Sequence, residues 1–131
     1  MSTLPERMDE AEVLDRAAEL IAEHGWRQES TSGARGLTVG EALNGAILAR
    51  YEAVAKASMP ARRQIVGERM DAEQVLACWL LDSGTVPGRW GQRFPFDHIV
   101  MEWSERAGQD AEQVLHALRV AAGSGTQVSV Y

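Results

Sequence analysis

Residues 97–102 read Asp-His-Ile-Val-Met-Glu, which sets a histidine beside one carboxylate and four positions ahead of another. A nearby carboxylate orients an imidazole and favours its protonated form. His98 with Asp97 or Glu102 therefore has the makings of a general acid/base pair. The same spacing also describes a surface ion pair one helical turn apart. The other histidines offer less. His24 falls in the last turn of a candidate helix, where a cation meets free carbonyls. His116 lies off an apolar stripe and reads as solvated. Cys78, the single cysteine, stands among Val75, Trp79 and Leu81, so a buried, inert thiol is expected and no intrachain disulfide is possible. The chain has no H-x-x-x-H, no H-E-x-x-H, no G-x-S-x-G and no phosphate-binding glycine motif. No metal and no cofactor is expected.

Two irregular stretches flank these residues. "GTVPGRWGQRFP" at 84–95 reads as a long loop carrying Arg89, Trp90, Arg93 and Phe94. Long loops in compact domains are often functional, and Trp and Arg dominate binding hot spots. The other reading is a loop pinned to the core by its aromatics. "LNGA" places Asn44-Gly45 inside a helix with Gly40 a turn earlier. Such residues cost on the order of 1–2 kcal/mol relative to Ala. Small residues at Gly40, Gly45 and Ala49 would admit either a neighbouring helix or a ligand. A site is expected where the 84–95 loop meets this helix and His98. Under an enzymatic reading, Trp26, Trp90 and Trp103 would line its pocket.

The hexapeptide "DAEQVL" occurs twice, at Asp71–Leu76 and Asp110–Leu115. Near the start, "DEAEVLDRAAEL" has a similar pattern. An Asp at an N-cap accepts from a free backbone N–H, and a Glu or Gln three residues on reaches back to the cap's own N–H. Beyond six residues the two copies diverge, as "ACWLLDSG" and "HALRVAAG". The repeat therefore reads as a helix-start signal, which sets Asp71, Glu73, Asp110 and Glu112 aside as chemistry.

The elements follow from period and punctuation. Helices are expected at 9–25, ending at Gly25, and at 38–57, opened by a Thr38/Glu41 capping box. Residues 26–36 read as a polar, mobile loop. A short helix or turn at 61–70, with Ser58 as a cap and Pro60 in the first turn, precedes a separate helix at 72–82. Residues 96–108 read as a helix with Ile99, Val100 and Trp103 inward, a strand being the alternative. The last helix is expected at 111–122, stopping at Gly123. The fold class is all-α, a single-domain bundle of five to six short helices over 1–131. Residues 1–8 and 124–131 are expected to be frayed or partner-dependent tails.

A chain of 131 residues with 45% apolar and 24% charged residues is ordinary for one globular domain. Its formal charge of −6 argues against nucleic acid as a partner. The start "MSTLPERMDE" lacks the features of a signal peptide. The longest apolar run, "VLACWLL", is far short of a membrane span. A soluble cytoplasmic protein is expected.

Three stretches, "AAELIAEHGW", "LTVGEALNGAI" and "MEWSERAGQDAEQVLHALRVAAG", together resemble a family of small actinobacterial and phage proteins of unknown function. In that pattern a helix ends in His-Gly-Trp, a Gly-Ala-Leu helix follows, and an aromatic-Asn-Asp turn leads to a capped last helix. Here Trp103-Ser104-Glu105 stands at the turn, and Gly36-Leu37 stands where a cysteine often begins the middle motif. The resemblance implies fold and compartment more than activity.

The functional expectation is a helical binding module that engages a protein partner through the Arg89–Phe96 loop and the second helix. Homo-oligomerisation fits this reading too. The alternative is a small enzyme or small-molecule-binding protein that uses His98 with Asp97 or Glu102. An inhibitor mimicking nucleic acid would need clustered carboxylates, and these are spread along helix starts.

Overall fold

The computed structural model describes residues 9–28, 36–49, 51, 59–106 and 109–128. These form six helices and, among the described residues, no strand. The all-α expectation holds.

Helix α1 spans Glu10–His24 and buries Val13, Leu14, Ala17, Ala18 and Ile21, the apolar stripe of its 3.6-residue period. It stops at Gly25, whose φ of +89° suits glycine and whose N–H donates to the Ile21 carbonyl at 2.7 Å. Asp9 occupies the N-cap position, but its side chain makes no capping hydrogen bond. The loop after α1 is closed at its ends by a bridge between Trp26 and Leu37. Gly36, at φ +113°, lies so close that a Cβ would sit 3.0 Å from backbone carbons of Gly25 and Trp26. Residues 29–35, most of the expected mobile loop, lie outside the described residues.

Helix α2 spans Val39–Leu48, opened by the expected reciprocal box between Thr38 and Glu41. It is shorter than the 38–57 expected. Tyr51 sits in a turn beyond it, and Val54 and Ser58 lie outside the described residues. Gly45 faces α1 so closely that a Cβ would lie 3.2 Å from Leu20 Cδ1, which gives this glycine its packing role.

Helix α3 runs unbroken over Met59–Asp82. This corrects the expectation of two helices divided at Asp71. The residues before Asp71 are Glu68, Arg69 and Met70, all good helix formers, so no non-helical residue precedes it and no helix start exists there. Helix α4 is a single turn, Trp90–Arg93, inside the expected loop. Helix α5, Phe96–Ser104, turns Ile99, Val100 and Trp103 inward as expected. Helix α6, Ala111–Val128, opens with a complete box: Asp110 accepts from the Gln113 N–H at 2.9 Å, and Gln113 accepts from the Asp110 N–H at 3.0 Å. It continues past Gly123, which lacks the positive φ of a terminating glycine.

Helix α1 packs on α2, α3 and α6, while α3 packs on α5 and α6. Trp103, Leu14, Ile21, Leu43, Ile47, Leu76, Leu80, Ile99 and Leu118 fill the centre. Because α3 is one rod of about 36 Å, it forms a wall against which α2, α4 and α5 set their side chains.

Candidate functional site

The middle of α3 carries the polar centre of the molecule. Glu73 is 5% exposed, because the register that buries Ala72, Leu76 and Leu80 also turns position 73 inward. Arg69, one turn earlier, holds its Nε 3.6 Å from Glu73 Oε1 and donates from Nη1 to Asn44 Oδ1 at 3.3 Å. This guanidinium ties α3 to α2. Gly40 of α2 faces this guanidinium, where a Cβ would make an ordinary contact at 3.5 Å from Arg69 Nη2. Burial pushes the Glu73 carboxyl above the usual carboxylate range. Arg69 opposes the rise, and the negative charge of Asp97 adds to it.

A cleft of about 320 Å³ opens here between α2, α3 and α5, lined by Thr38, Gly40, Asn44, Arg69, Glu73, Asp97, His98, Met101 and Ser104. His98 is held at its mouth by two contacts. Its Nε2 lies 3.4 Å from Glu102 Oε1, and its ring stacks on Phe94 at 4.5 Å and 28°. Phe94 in turn meets Trp90 edge-on at 5.8 Å. The loop aromatics thus form a file that fixes His98, and both Trp90 and Phe94 pack against the core. Glu102 and His98 are about half exposed, so this pair is the weak surface kind.

Arg69, Glu73 and Asp97 also line a second, larger groove of about 690 Å³, whose walls are Val66, Met70, Asp71 and Gln74 of α3 and Gly91, Phe94, Pro95 and Phe96. Cleft and groove thus share these three charged residues as lining. The groove is the expected loop surface with a different opposite wall: α3 stands where α2 was expected, because the unbroken rod brings Val66 and Met70 under the loop.

The expected residues divide accordingly. Asn44, Asp97 and His98 come together in the cleft, and Phe94 borders the groove. Glu102 touches His98 from outside. Arg89 and Arg93 are exposed and line neither. The three tryptophans do not gather round His98: Trp103 is 1% exposed in the core, Trp90 leans on Phe94, and Trp26 sits at the bridge to Leu37 with its Nε1 buried and without a partner. Cys78 is half-buried, and burial, helped by Asp82, pushes its thiol further from ionisation, as expected for an inert cysteine. Arg69, Glu73, Val66 and Met70 were missed by sequence reasoning. The signal that could have found them is register: Glu73 stands three residues before Leu76 and seven before Leu80 on one continuous helix.

Among the described residues, no group of three His, Cys, Asp or Glu converges as a metal would require, and no helix is long and apolar enough to cross a membrane. No curated protein and no solved structure matches the chain. Residues 5–124 match the model of a family described as "Family of unknown function (DUF6197)". That agrees with the resemblance carried by the His-Gly-Trp, Gly-Ala-Leu and capped-helix stretches, and the chain belongs to this family.

Proposed function

We propose that the protein is a cytoplasmic binding module, and that its docking surface is the groove between the middle of α3 and the 91–97 segment. The occupant is a segment of a protein partner that presents apolar side chains beside a Lys or Arg. The observation that carries this reading is an exposed apolar face beside a set of carboxylates. Val66, Met70 and Phe96 are 53%, 60% and 40% exposed around one groove. Val66 and Met70 stand one turn apart on the same helix face. Exposed apolar groups gathered at a groove mark a contact surface. Asp71, Glu73 and Asp97 line the same groove together with Arg69, whose guanidinium is turned to Asn44 and Glu73. A basic partner complements that balance, and the chain's −6 charge adds long-range steering.

The test is a titration of isotope-labelled protein with short synthetic peptides that alternate Leu or Phe with Lys, against the same peptides carrying Glu. The Lys peptides should shift the amide signals of Val66, Met70, Phe94 and Phe96 and lose this effect in Met70→Asp. Equal response to both peptides, or shifts confined to other faces, would overturn the reading. So would a dimer that occupies the groove with a second copy.

A second reading rests on a separate observation. Glu73, a carboxyl whose proton affinity is raised by burial, shares the cleft with His98 and Asp97. Such a set suits acid/base work on a small molecule held between α2 and α5. Under that reading His98→Ala abolishes turnover. Under the first, it leaves peptide binding within about twofold, since His98 lines the cleft and not the groove.

A further inference from the structure

On another face, the C-terminal half of α3, the turn after it, the end of α5 with the residues that follow it, and the start of α6 border a cleft of about 340 Å³. This is within the size range of small-molecule sites, about 300–1,000 Å³. Part of its lining is aromatic: Trp79 meets His116 edge-on at 6.2 Å and 72°, and the almost wholly buried Trp103 lies behind them. Its polar lining is Thr85, Arg106, Gln109, Gln113 and His116, with no carboxylate, in a chain that has 19 acidic residues.

The hydrogen-bonding state of these groups is one-sided. Gln113 spends its Oε1 on the Asp110 N–H, which leaves its NH2 as the free end. Gln109 has its Nε2 buried with no partner. A buried donor left unmet calls for a ligand or water. Arg106 donates one N–H to the Thr85 carbonyl at 2.6 Å, and no carboxylate among the described residues pairs with it. That bond fixes the guanidinium at the rim with further N–H groups unspent. His116 adds a ring N–H. Donors face the cleft from the α5–α6 connection and from α6, while the Thr85 carbonyl and Gln113 Oε1 are already used as acceptors.

We propose that this cleft binds a small organic anion, a carboxylate with a flat or short apolar body. Its oxygens would take the N–H groups of Arg106, Gln109 and Gln113, and its body would rest on Trp79. A guanidinium with flanking amides suits a carboxylate because two parallel N–H donors match its two oxygens. A cation of the same shape would meet the Arg106 guanidinium with no carboxylate in the lining to offset it, and be rejected.

The experiment is a titration of the full chain, followed by NMR at the Gln109 side-chain amide and the Trp79 and His116 rings. The probes are benzoate, succinate and inorganic phosphate, with benzamidine as the cation shaped like benzoate. At least one carboxylate should shift all three groups saturably, and benzamidine should shift none. Gln109→Glu should weaken that binding at least tenfold by placing a carboxylate opposite the ligand's own. His116→Glu, at an exposed position on α6, gives up the edge contact with Trp79 and puts a carboxylate in the lining, and it should show the same sign of effect, so the test survives if the first variant fails to fold. The proposal is overturned if neither carboxylate shifts these signals, if phosphate alone does, if benzamidine binds as tightly as benzoate, or if both variants bind unchanged.

Discussion

At Asp110 the carboxylate takes the Gln113 N–H and the Gln113 side chain takes the Asp110 N–H, so two free backbone donors at the start of α6 are satisfied. At Asp71, thirty-nine residues earlier, the same six letters lie inside α3 and start nothing. The difference comes from what precedes them. Gly108 and Gln109 lead into Asp110, and glycine is a poor helix former. Glu68-Arg69-Met70 lead into Asp71 and propagate a helix already begun. A capping sequence is a start only where the chain upstream is not helical. The consequence reaches the candidate site. Where the hexapeptide caps, its polar side chains serve the backbone. Where it does not, register carries Glu73 into the interior and Asp71 to the groove.

Proline breaks this comparison hardest. Ala72 and Ala111 are the second residues of the two copies. Ala72→Pro removes a helical hydrogen bond in the middle of α3 and should cost about 3 kcal/mol or more. Ala111→Pro stands at the first position of α6, where proline is favoured, and should cost under about 1 kcal/mol. Urea unfolding of the two variants measures the gap, and equal losses would contradict the unbroken α3.

The cap itself comes next. Asp110→Ala should cost about 1 kcal/mol by freeing the Gln113 N–H. Asp71→Ala gives up that side chain's own contacts but gains up to about 0.7 kcal/mol of helix propensity, so its net effect should be smaller. Thermal unfolding of both variants should show the larger drop for Asp110→Ala.

The pH dependence is a subtler contrast. Burial makes folded Glu73 hold its proton more tightly than the unfolded chain does. Stability therefore falls as pH rises from the ordinary carboxylate range through the raised value, and the contribution of the neutral form is lost above it. Glu73→Gln is neutral at every pH and should remove that slope, gaining on the parent protein as pH rises. Glu112→Gln, at the matching exposed position of the second copy, is the control. Unfolding curves collected across this pH interval decide it, and a Glu73→Gln variant that weakens steadily against the parent with rising pH would refute the burial argument.

Much of the fold was legible because it depends on local pattern. The stripe of α1, the Thr38/Glu41 box and the inward set Ile99, Val100 and Trp103 all appear where period and capping chemistry put them. The division of α3 was misread because D-x-x-Q looks the same at a start and in an interior. Of the site, Asn44, Asp97 and His98 were legible as polar or irregular features, and the structure gathers them. Arg69 and Glu73 were not, because the burial of a glutamate depends on a register that the false helix boundary hid. The tryptophans misled for the opposite reason. Their size makes them candidates for any pocket, yet each is used in packing or at a bridge.

The central claim is that the carboxylates of the first hexapeptide copy face the partner peptide and those of the second do not. One binding measurement on two paired variants tests it, with the Lys-bearing peptide as probe. Asp71→Asn with Glu73→Gln should weaken binding roughly fivefold to tenfold, the scale of about 1–1.4 kcal/mol for lost charge attraction. Asp110→Asn with Glu112→Gln should leave the affinity within about twofold, far below that 1.4 kcal/mol. Unchanged binding in the first pair, or an equal loss in both, would contradict the account.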